Sequence, residues 1–473
     1  ERHPANKRFW GDLHGQTGTT VGVGSDDEYF AFGREWAQLD FTSHQGNDFQ
    51  ISDDYWAELN ETFARHHEEH KFVVFPGYEW SGSSPTGGDH NIFYRKEGLP
   101  ILRSSHWLVP ETPESELSPA HPADVFYEKM KSAVPASDVI VCQHVGGRYA
   151  NLRKYFDQEL ISLVELVSDW GVFEWMLWDA FDKGYIVGVM ANSDGHHGRP
   201  GAEGAGLSYF GIENGLTCAI APELTRDAIF DALKTRRCFA TTGARILLDF
   251  TANGHLMGSV IPYVDELEIK ASVTGTGPLE SLQLYQGKRV IAEVRPDVFA
   301  DLGQSNHIRV SWSGSRERGR QRRVTWDGAV RLEGEGCEIV SAETFSFDVA
   351  ADGITAQSAG EVAFVSKTTG DRDGLDLVLS DASTGTLIFD SAAGKVSINL
   401  TDLTHENPRR VFDFGGVDMQ VVVERYPIQA VDFTLALQET VRVPARQQTP
   451  YFVKATQVDG QMAWASPIYV TPI

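Results

Sequence analysis

Histidines and carboxylates recur in the first half of the chain at spacings that suit a metal centre. Twelve of the 15 histidines lie at or before His197. They come in short polar clusters, most of which follow an apolar run, at residues 11–17 (GDLHGQT), 40–48 (DFTSHQGND), 77–80 (GYEW), 87–90 (GGDH), 143–148 (QHVGGR) and 192–197 (NSDGHH). Imidazole and carboxylate together are ligands for zinc, manganese or iron, without any thiolate. The clusters therefore predict a metal-dependent active site.

The elements that must position these clusters alternate between strands and helices. Apolar runs predict strands at residues 8–13, 39–43, 72–77, 139–143, 162–167, 187–191 and 218–221. Helical patterns predict helices at residues 26–38, 52–70, 123–132 and 172–183. Such alternation predicts a parallel sheet, and this number of strands favours a barrel, closed or incomplete, with catalytic groups at the carboxyl ends of its strands. We expect this α/β domain to cover residues 1–248.

The second half of the chain has a different pattern. Strand-like segments lie at residues 267–273, 308–312, 375–379, 396–400, 421–423 and 433–437, with Gly and Asp between them and few helical patterns. This is typical of an antiparallel sandwich, so residues 249–473 are predicted to form an all-β sandwich-like region. The basic run at residues 316–323 (RERGRQRR) is interpreted as a solvated loop.

The ordered set of motifs resembles the polymerase-and-histidinol-phosphatase (PHP) superfamily of metallohydrolases. It is most similar to an uncharacterised, often exported branch in which a β-rich region follows the domain. The motifs span residues 10–196 and are 10–14 (WGDLH), 40–44 (DFTSH), 78–81 (YEWS), 90–93 (HNIF), 143–144 (QH) and 192–196 (NSDGH). The resemblance implies a distorted seven-stranded (β/α) barrel followed by an all-β sandwich-like domain. It also implies a cofactor of one to three divalent metal ions (Zn, Mn or Fe) and phosphoester hydrolysis.

The resemblance further implies the ligands of up to three metal sites, with one carboxylate shared by two of them. Site by site, the ligands are His14, Glu79 and Asp194; Glu79, His90 and His144; and His44 with His196. Gln16 stands where the family usually has a second histidine, and Ser43 stands where it has an aspartate. An amide carbonyl is a weaker ligand than imidazole, so Gln16 is either a ligand or a supporting group. The third site is expected to be water-rich or empty.

Residues next to the ligand motifs are candidates for substrate contact. Guanidinium groups suit bidentate contact with phosphate or carboxylate, so Arg148 and Arg199 are predicted to hold a substrate oxygen, with a structural salt bridge as the alternative for each. His197 is predicted to protonate the leaving group, or to be a solvated loop histidine. Glu79 is counted with the catalytic groups because a bridging carboxylate lets two metals activate one water.

The chain is strongly acidic, with a formal net charge of −25 over 473 residues. A negative field opposes binding to nucleic acid and to anionic membranes, and no apolar run approaches the roughly 18 residues that span a bilayer. The expected partner is therefore a small-molecule substrate, which the resemblance implies to be anionic. A cleaved secretory signal would explain a start at Glu1, so a periplasmic or secreted location is expected, with a cytoplasmic one as the alternative.

The four cysteines form no CxxC pair, which argues against a thiolate zinc site. Cys218 and Cys238 could form a bridge in an oxidising compartment. Nothing in their spacing requires one.

These observations predict a metal-dependent hydrolase, and favour a phosphoesterase in which a metal-activated water attacks a small phosphate ester. Two alternatives stay open. The first keeps the metal site but acts on a carboxylic ester, lactone or amide. The second is a non-catalytic binding protein built on a degenerate barrel, against which the intact ligand motifs argue.

Overall fold

The structure is a computed structural model that describes residues 6–106, 109, 119–203, 214–300, 302, 305–320, 324–347, 351–427 and 429–472. It is mostly β, with several sheets. The α-helices among these residues all lie in the first half: α1 (Asp26–Glu35), α2 (Asp53–His66), α3 (Ala123–Ala133), α4 (Trp175–Lys183) and α5 (Arg226–Lys234). Not one of these helices is long and apolar enough to cross a bilayer, judged over the described ranges.

Within its described ranges, the first half also contains eleven strands. They are β1 (Lys7–Asp12), β2 (Phe41–Ser43), β3 (Val73–Phe75), β4 (Gly77–Ser81), β5 (Asp89–Tyr94), β6 (Val139–Gln143), β7 (Ile161–Ser168), β8 (Gly171–Val172), β9 (Gly188–Ala191), β10 (Leu216–Ala221) and β11 (Cys238–Thr241).

Side-chain caps mark the starts of α1, α2 and α5, and a glycine ends α4. α1 follows Ser25, whose side chain accepts from the Glu28 N–H while the Glu28 carboxylate accepts from the Ser25 N–H, a reciprocal capping box. α5 follows Thr225, whose side chain accepts a similar bond. α4 ends at Gly184, where φ is 72°, a left-handed value that glycine adopts without strain. The caps set the helix lengths, and so the length of chain left to reach each following strand.

The strands of the first half fall into two sheets rather than one continuous ladder. In the first sheet β1 lies between antiparallel β10 and parallel β2, and β3 continues in parallel beside β2. In the second sheet β4, β5 and β6 are antiparallel neighbours, and β6, β7 and β9 are parallel. The hydrogen bonding therefore does not show a seven-stranded parallel barrel. The antiparallel strands β4 and β5 show no apolar run in the sequence because they bury Glu79, Ser81, Asp89 and Asn91.

The two sheets face each other across a shared apolar core. Thr217 of β10 joins the first sheet to β9, the edge strand of the second, because its hydroxyl accepts from the Ala191 N–H at 3.1 Å and donates to the Ala191 carbonyl at 2.8 Å. At the other side Pro76 alone separates β3 from β4. The core between the sheets includes Phe41, Phe75, Phe93, Leu163 and Met190. Side-chain bonds and chain connections thus join the two sheets where the ladder hydrogen bonds stop.

The second half of the chain consists of strands and short turns within the described ranges. The strands are β12 (Leu247–Ala252), β13 (His255–Leu256), β14 (Val260–Ile261), β15 (Glu266–Thr274), β16 (Leu279–Gln286), β17 (Arg289–Val294), β18 (His307–Ser315), β19 (Val324–Thr325), β20 (Gly328–Glu333), β21 (Ile339–Phe345), β22 (Gly353–Gln357), β23 (Glu361–Val365), β24 (Lys367–Thr368), β25 (Arg372–Leu379), β26 (Thr386–Ser391), β27 (Gly394–Asn399), β28 (Arg409–Gly415), β29 (Val417–Arg425), β30 (Thr434–Arg442), β31 (Thr449–Gln457), β32 (Met462–Ala465) and β33 (Ile468–Val470).

A β-sandwich occupies the middle of this half. Its two five-stranded sheets have the orders β21-β25-β18-β29-β28 and β22-β23-β20-β26-β27, and every pair in them is antiparallel. Trp312 packs between the sheets against Phe364 and Phe389, with ring centroids 4.4 and 5.3 Å away. These aromatic rings form the centre of a core separate from that of the first half.

One sheet crosses the predicted domain boundary at residue 248. β32 pairs with β11 of the first half, and β31, β33 and β16 extend the same sheet. Ser466 Oγ accepts from the Val189 N–H at 3.0 Å. Tyr469 Oη accepts from the Val187 N–H at 3.0 Å and donates to the Val187 carbonyl at 2.8 Å. The last strands of the chain are therefore packed as part of the first half.

All four cysteines are buried and free. Cys218 pairs with Phe239, and Cys238 pairs with Ala219. This offset of one residue sends the two cysteine side chains to opposite faces of the sheet. A bridge between Cys218 and Cys238 is therefore not formed.

The basic run interpreted as a solvated loop also makes internal contacts. Arg318 donates to both carboxylate oxygens of Asp179, at 2.9 and 2.8 Å. Arg320 stacks on Trp170. Arg322 and Arg323 lie outside the described residues. The run is therefore solvent-exposed at Arg316 and Glu317, as interpreted, but Arg318 and Arg320 have partners in the other half of the chain.

Candidate metal centre

Buried imidazole and carboxylate side chains converge at one end of the two first-half sheets. They form three overlapping triads, in each of which one ligand atom per residue lies within 4.8 Å of the others: His14, Glu79 and Asp194; His14, His144 and Glu165; and Glu79, Asp89 and His144. His14, Glu79 and His144 each belong to two triads. The donor atoms therefore surround one shared space.

His14 lies at the middle of this cluster. Its Nε2 is 3.1 Å from Asp194 Oδ1 and 3.5 Å from Glu79 Oε2, and its Nδ1 is 3.1 Å from Glu165 Oε1. The His144 ring stands edge-on to the His14 ring at a centroid distance of 4.5 Å, and His144 Nε2 is 3.9 Å from Glu79 Oε2. One oxygen of Glu79 thus faces both imidazoles, the position of a carboxylate shared between two metals.

Two buried polar side chains hold the ends of β1 and β9 side by side. Asp12 accepts from the backbone N–H of His14 at 3.2 Å and from that of Ser193 at 3.0 Å. Asn192 accepts from the N–H of the residue before His14 at 2.8 Å, and its amide donates to Glu165 at 2.6 Å. These bonds position the backbone that carries His14 and orient the Glu165 carboxylate.

Asp194 takes an unusual backbone conformation. Its φ is 51°, in the left-handed region that few residues other than glycine occupy. The Trp170 indole N–H donates to Asp194 Oδ2 at 2.6 Å, while Oδ1 lies beside His14. The next residue, Gly195, bridges to Gly15. The turn after β9 is thereby fixed with one carboxylate oxygen facing the cluster.

Alternation along β4 and β5 decides which of their side chains face the cluster. Successive residues of a strand point to opposite faces, and Ser81 pairs with Asp89 while Trp80 pairs with His90. Glu79 and Asp89 therefore share the inner face. His90 lies on the outer face, where Nε2 is 2.6 Å from the Tyr127 hydroxyl and Nδ1 is 3.0 Å from the Gly88 carbonyl.

Arg148 lies at the solvent side of the cluster. Its Nε and backbone N–H each donate to Asp89, both at 2.7 Å, and its Nη2 donates to Glu79 Oε1 at 3.4 Å. Ser81 also donates to Glu79 Oε1, at 2.8 Å. The Arg148 side chain keeps 33% of its surface exposed, so it contacts both the buried carboxylates and the solvent.

Burial and mutual charge set the protonation of the cluster. Burial raises the pKa of Asp89 well above its ordinary value, and the Glu79 charge raises it further. Burial also raises the pKa of Glu79, but His14 and His144 bring it below its usual value. For His14, burial lowers the pKa, while the neighbouring carboxylates carry it well above the usual value. The carboxylates of the cluster are thus not equivalent. The two imidazoles stabilise the Glu79 anion, whereas burial favours the protonated form of Asp89 in spite of the adjacent Arg148.

The donor set fits a divalent metal. His144 Nδ1 and Nε2 are buried and have no hydrogen-bond partner in the part of the chain that the structure describes, although buried polar groups are normally paired. Burial, and then the His14 charge, lower the pKa of His144 well below its usual value, which keeps the ring neutral, the form that ligates metals. Together with the shared carboxylates, this ring could hold a zinc, manganese or iron ion.

Two other predicted ligands bond within the protein, outside the triads. His44 Nε2 lies 3.1 Å from Thr17 Oγ1 and 3.9 Å from Asp26 Oδ1. The Gln16 carbonyl oxygen accepts three hydrogen bonds, at 2.9 to 3.2 Å, from a hydroxyl, a backbone N–H and the Asn47 amide. Neither His44 nor His90 supplies an atom to a triad among the described residues, and the Gln16 carbonyl oxygen is engaged in the hydrogen bonds above.

The histidines and arginine after Asp194 lie at the edge of the cluster. Burial lowers the pKa of His196, and the Asp194 charge acts against that lowering. His197 Nδ1 is 3.2 Å from Glu203 Oε2, and the His197 side chain is 37% exposed. Arg199 is exposed and lines, with His197, a cavity of about 360 Å³. None of these three residues belongs to a triad among the described residues.

Asp89 and Glu165 belong to triads, although the motifs do not single them out as ligands. Asp89 directly precedes His90, and only the face alternation of β5 distinguishes the two. Glu165 lies inside the apolar run of β7, where every residue is buried. A buried carboxylate needs a partner, so a charged residue within a buried strand is the sequence feature that could have indicated Glu165.

Sequence comparison places part of the chain near proteins without an assigned role. Residues 200–271 match a family described as a protein of unknown function, DUF3604. An uncharacterised protein from Chlamydia pneumoniae is 24% identical over 316 residues, and one from Chlamydia trachomatis is 23% identical over 321 residues. Each alignment covers 61% of this chain and 49% of the relative, so the chain spans about half the length of the curated relatives it matches.

Among solved structures, the chain is similar to a two-domain protein from Bacteroides vulgatus described as containing a predicted PHP-like metal-dependent phosphoesterase. The TM-score is 0.34 and the identity is 9%, over 84% of this chain and 96% of the other. A TM-score this low supports no inference about fold or function. The functional assignment therefore depends on the geometry of the cluster.

Proposed function

We propose that the protein is a metal-dependent phosphoesterase that hydrolyses a small phosphate ester. The observation that carries this proposal is the set of three buried triads that share His14, Glu79 and His144. Such overlap suits two or more metals held close together. We also interpret the two facing sheets as a distorted (β/α) barrel, with the triads at the end where a barrel enzyme has its active site.

The ligands follow from the triads. Glu79 would bind two metals. His14 and Asp194 would complete one site, and His144 and Asp89 the other, while Glu165 would support His14. Bound divalent cations would lower the pKa of a water and offset the charge that develops on phosphoryl oxygens.

The residues around the cluster supply binding and proton transfer. Arg148 is fixed by Asp89 and exposes part of its guanidinium, so it would orient one phosphate oxygen through charge-assisted bonds. His197 is held by Glu203 at the solvent side, where its imidazole could give a proton to the departing alkoxide. A cationic guanidinium beside metal ligands favours an anionic substrate over a neutral ester.

The proposal is tested by elemental analysis of the purified protein and a panel of phosphomonoesters, phosphodiesters and carboxylic esters. We expect bound divalent metal and turnover of a phosphate ester that a chelator abolishes. Turnover of carboxylic esters alone would move the assignment to an esterase with the same centre. Protein that binds no metal, even after exposure to zinc, manganese and iron, would contradict the proposed function.

A further inference from the structure

A basic loop of the sandwich reaches the candidate metal centre. The loop follows β18, which ends at Ser315. The Arg320 guanidinium carbon lies 3.6 Å from the centroid of a Trp170 ring, and the Trp170 indole N–H donates to Asp194. A cation from the second half of the chain thus stacks on the residue that orients a triad carboxylate from the first half.

The same guanidinium borders the loop between His144 and Arg148. A Cβ added to Gly147 would lie 3.9 Å from Arg320 Nη2 and 3.8 Å from Asp89 Oδ2, so the guanidinium and this carboxylate flank one glycine. Burial lowers the pKa of Arg320, and the Asp194, Asp89 and Glu79 charges act against that lowering. Arg320 is therefore within electrostatic reach of carboxylates from different triads.

Its loop is anchored to the first half by the two residues that precede Arg320. Arg318 makes its two bonds to Asp179. Gly319 has a φ of 121°, and a Cβ there would lie 3.1 Å from Tyr149 Cδ1. That backbone conformation is one that residues other than glycine rarely adopt, and a Cβ would make a tight contact with the Tyr149 ring. The loop thus holds a fixed position, and so does the base of the Arg320 side chain.

We propose that Arg320 is a substrate-binding residue of this centre, donating to a non-bridging oxygen of the substrate's phosphate group. The inference rests on the proposed function. Stacking on Trp170 engages the face of the guanidinium, and a guanidinium carries its N–H donors in its own plane, the arrangement that binds phosphate oxygens in pairs. Arg148 and Arg320 would then hold the phosphate from two sides, one arginine from each half of the chain.

A purely structural role for Arg320 makes different predictions. If stacking on Trp170 served only to attach the sandwich, loss of the guanidinium would lower stability and leave anion affinity unchanged. Lysine keeps the charge but lacks the planar fork, so Arg320→Lys separates charge from geometry. Arg316 lies on the same loop and is exposed, so Arg316→Gln is the matched control.

The test uses the full-length chain loaded with Mn²⁺ or Zn²⁺ and measures the binding of inorganic phosphate by calorimetry, together with metal content, melting temperature and the KM for p-nitrophenyl phosphate. We expect Arg320→Gln to weaken phosphate binding by about 10- to 100-fold, the usual effect of losing hydrogen bonds to a charged group, with metal content and melting temperature close to wild type. Arg320→Lys should fall between, and Arg316→Gln should match wild type.

The outcomes are distinguishable. Wild-type protein that binds metal and phosphate while Arg320→Gln binds phosphate equally well overturns this inference alone. A lower melting temperature for Arg320→Gln with unchanged phosphate affinity also overturns it, in favour of the structural role. Wild-type protein that binds neither metal nor phosphate overturns the proposed function, and this inference with it.

Discussion

At the scale of single residues, hydrogen bonding distinguishes a candidate metal ligand, His144, from a histidine with a structural role, His90. His144 has both ring nitrogens buried and without partners among the described residues, whereas the nitrogens of His90 lie 3.0 and 2.6 Å from the Gly88 carbonyl and the Tyr127 hydroxyl. Both histidines are fully buried. The difference comes from position relative to the strands, since His144 follows the end of β6 and His90 lies on the outer face of β5.

Replacing each of these histidines by alanine should have opposite consequences. His144→Ala is expected to lower metal content and leave the stability of the metal-free protein nearly unchanged, because no hydrogen bond is lost. His90→Ala should keep the metal and reduce the free energy of unfolding by about 1–3 kcal/mol, the cost of leaving a buried partner unpaired. Elemental analysis and chemical denaturation of the two variants measure both effects. Metal loss in His90→Ala but not in His144→Ala would reverse this assignment.

Glu79 is the residue on which the shared geometry depends most. Glu79→Gln keeps the size of the side chain but removes the charge that would separate two cations, so metal content should fall and hydrolysis should drop by at least about 100-fold. Glu68→Gln is the control, since the Glu68 side chain is 40% exposed and forms surface ion pairs with Arg34 and Lys71. If Glu79→Gln retains wild-type metal content and activity, Glu79 is not part of the centre.

At the scale of elements, the apolar runs located most of the first-half strands to within a few residues. The run at residues 139–143 has the same bounds as β6. β4 and β5 could not be predicted in this way because the side chains that they bury are polar. Two of these side chains, Glu79 and Asp89, belong to the triads, whereas β8 and β11, which no predicted strand covers either, carry no triad residue. The path of the Arg316–Arg320 loop could not be predicted either, because its partners lie more than a hundred residues away in sequence.

An ion pair between two strands of the sandwich should make its stability fall at low pH. Arg309 on β18 donates to both oxygens of Asp376 on β25, at 2.6 and 2.7 Å. Burial raises the pKa of Asp376, but the Arg309 bonds bring it to about 2. The folded pKa lies below the unfolded value of roughly 3.9, so the contribution of about 2 kcal/mol is present above pH 4 and is lost as the pH falls towards 2.

Denaturant unfolding followed between pH 2 and pH 6 in wild type and Asp376→Asn measures this effect. The wild type should lose more stability than the variant over that range, because the variant has no carboxyl group to protonate at this position. Parallel pH profiles for the two proteins would show that the pair does not contribute.

At the scale of the whole molecule, the chain leaves its first half and then returns to it. The last strands join the first-half sheet through β11 and β32. Along the chain, the sandwich lies between the first-half strands and these last strands. The sandwich is entered and left at one point, where Ser305 Oγ donates to the Tyr426 carbonyl at 2.6 Å. The structural division is therefore not a cut at residue 248. It lies between an inserted sandwich and a body formed from both ends of the chain.

This division predicts different fates for two truncated proteins. A fragment ending at residue 248 lacks β32, so the β11 edge would lose its backbone partners and Val189 and Val187 would lose the bonds to Ser466 and Tyr469. Exposed strand edges and buried unpaired backbone groups favour aggregation, so we expect no cooperative thermal transition.

A chain in which residues 306–425 are replaced by a short Gly-Ser linker keeps all of these contacts, and should fold cooperatively and bind metal while lacking Arg320. Calorimetric melting and elemental analysis distinguish the two cases. A fragment of residues 1–248 that melts cooperatively and holds metal would show instead that the first half is an independent domain and that the returning strands only cover it.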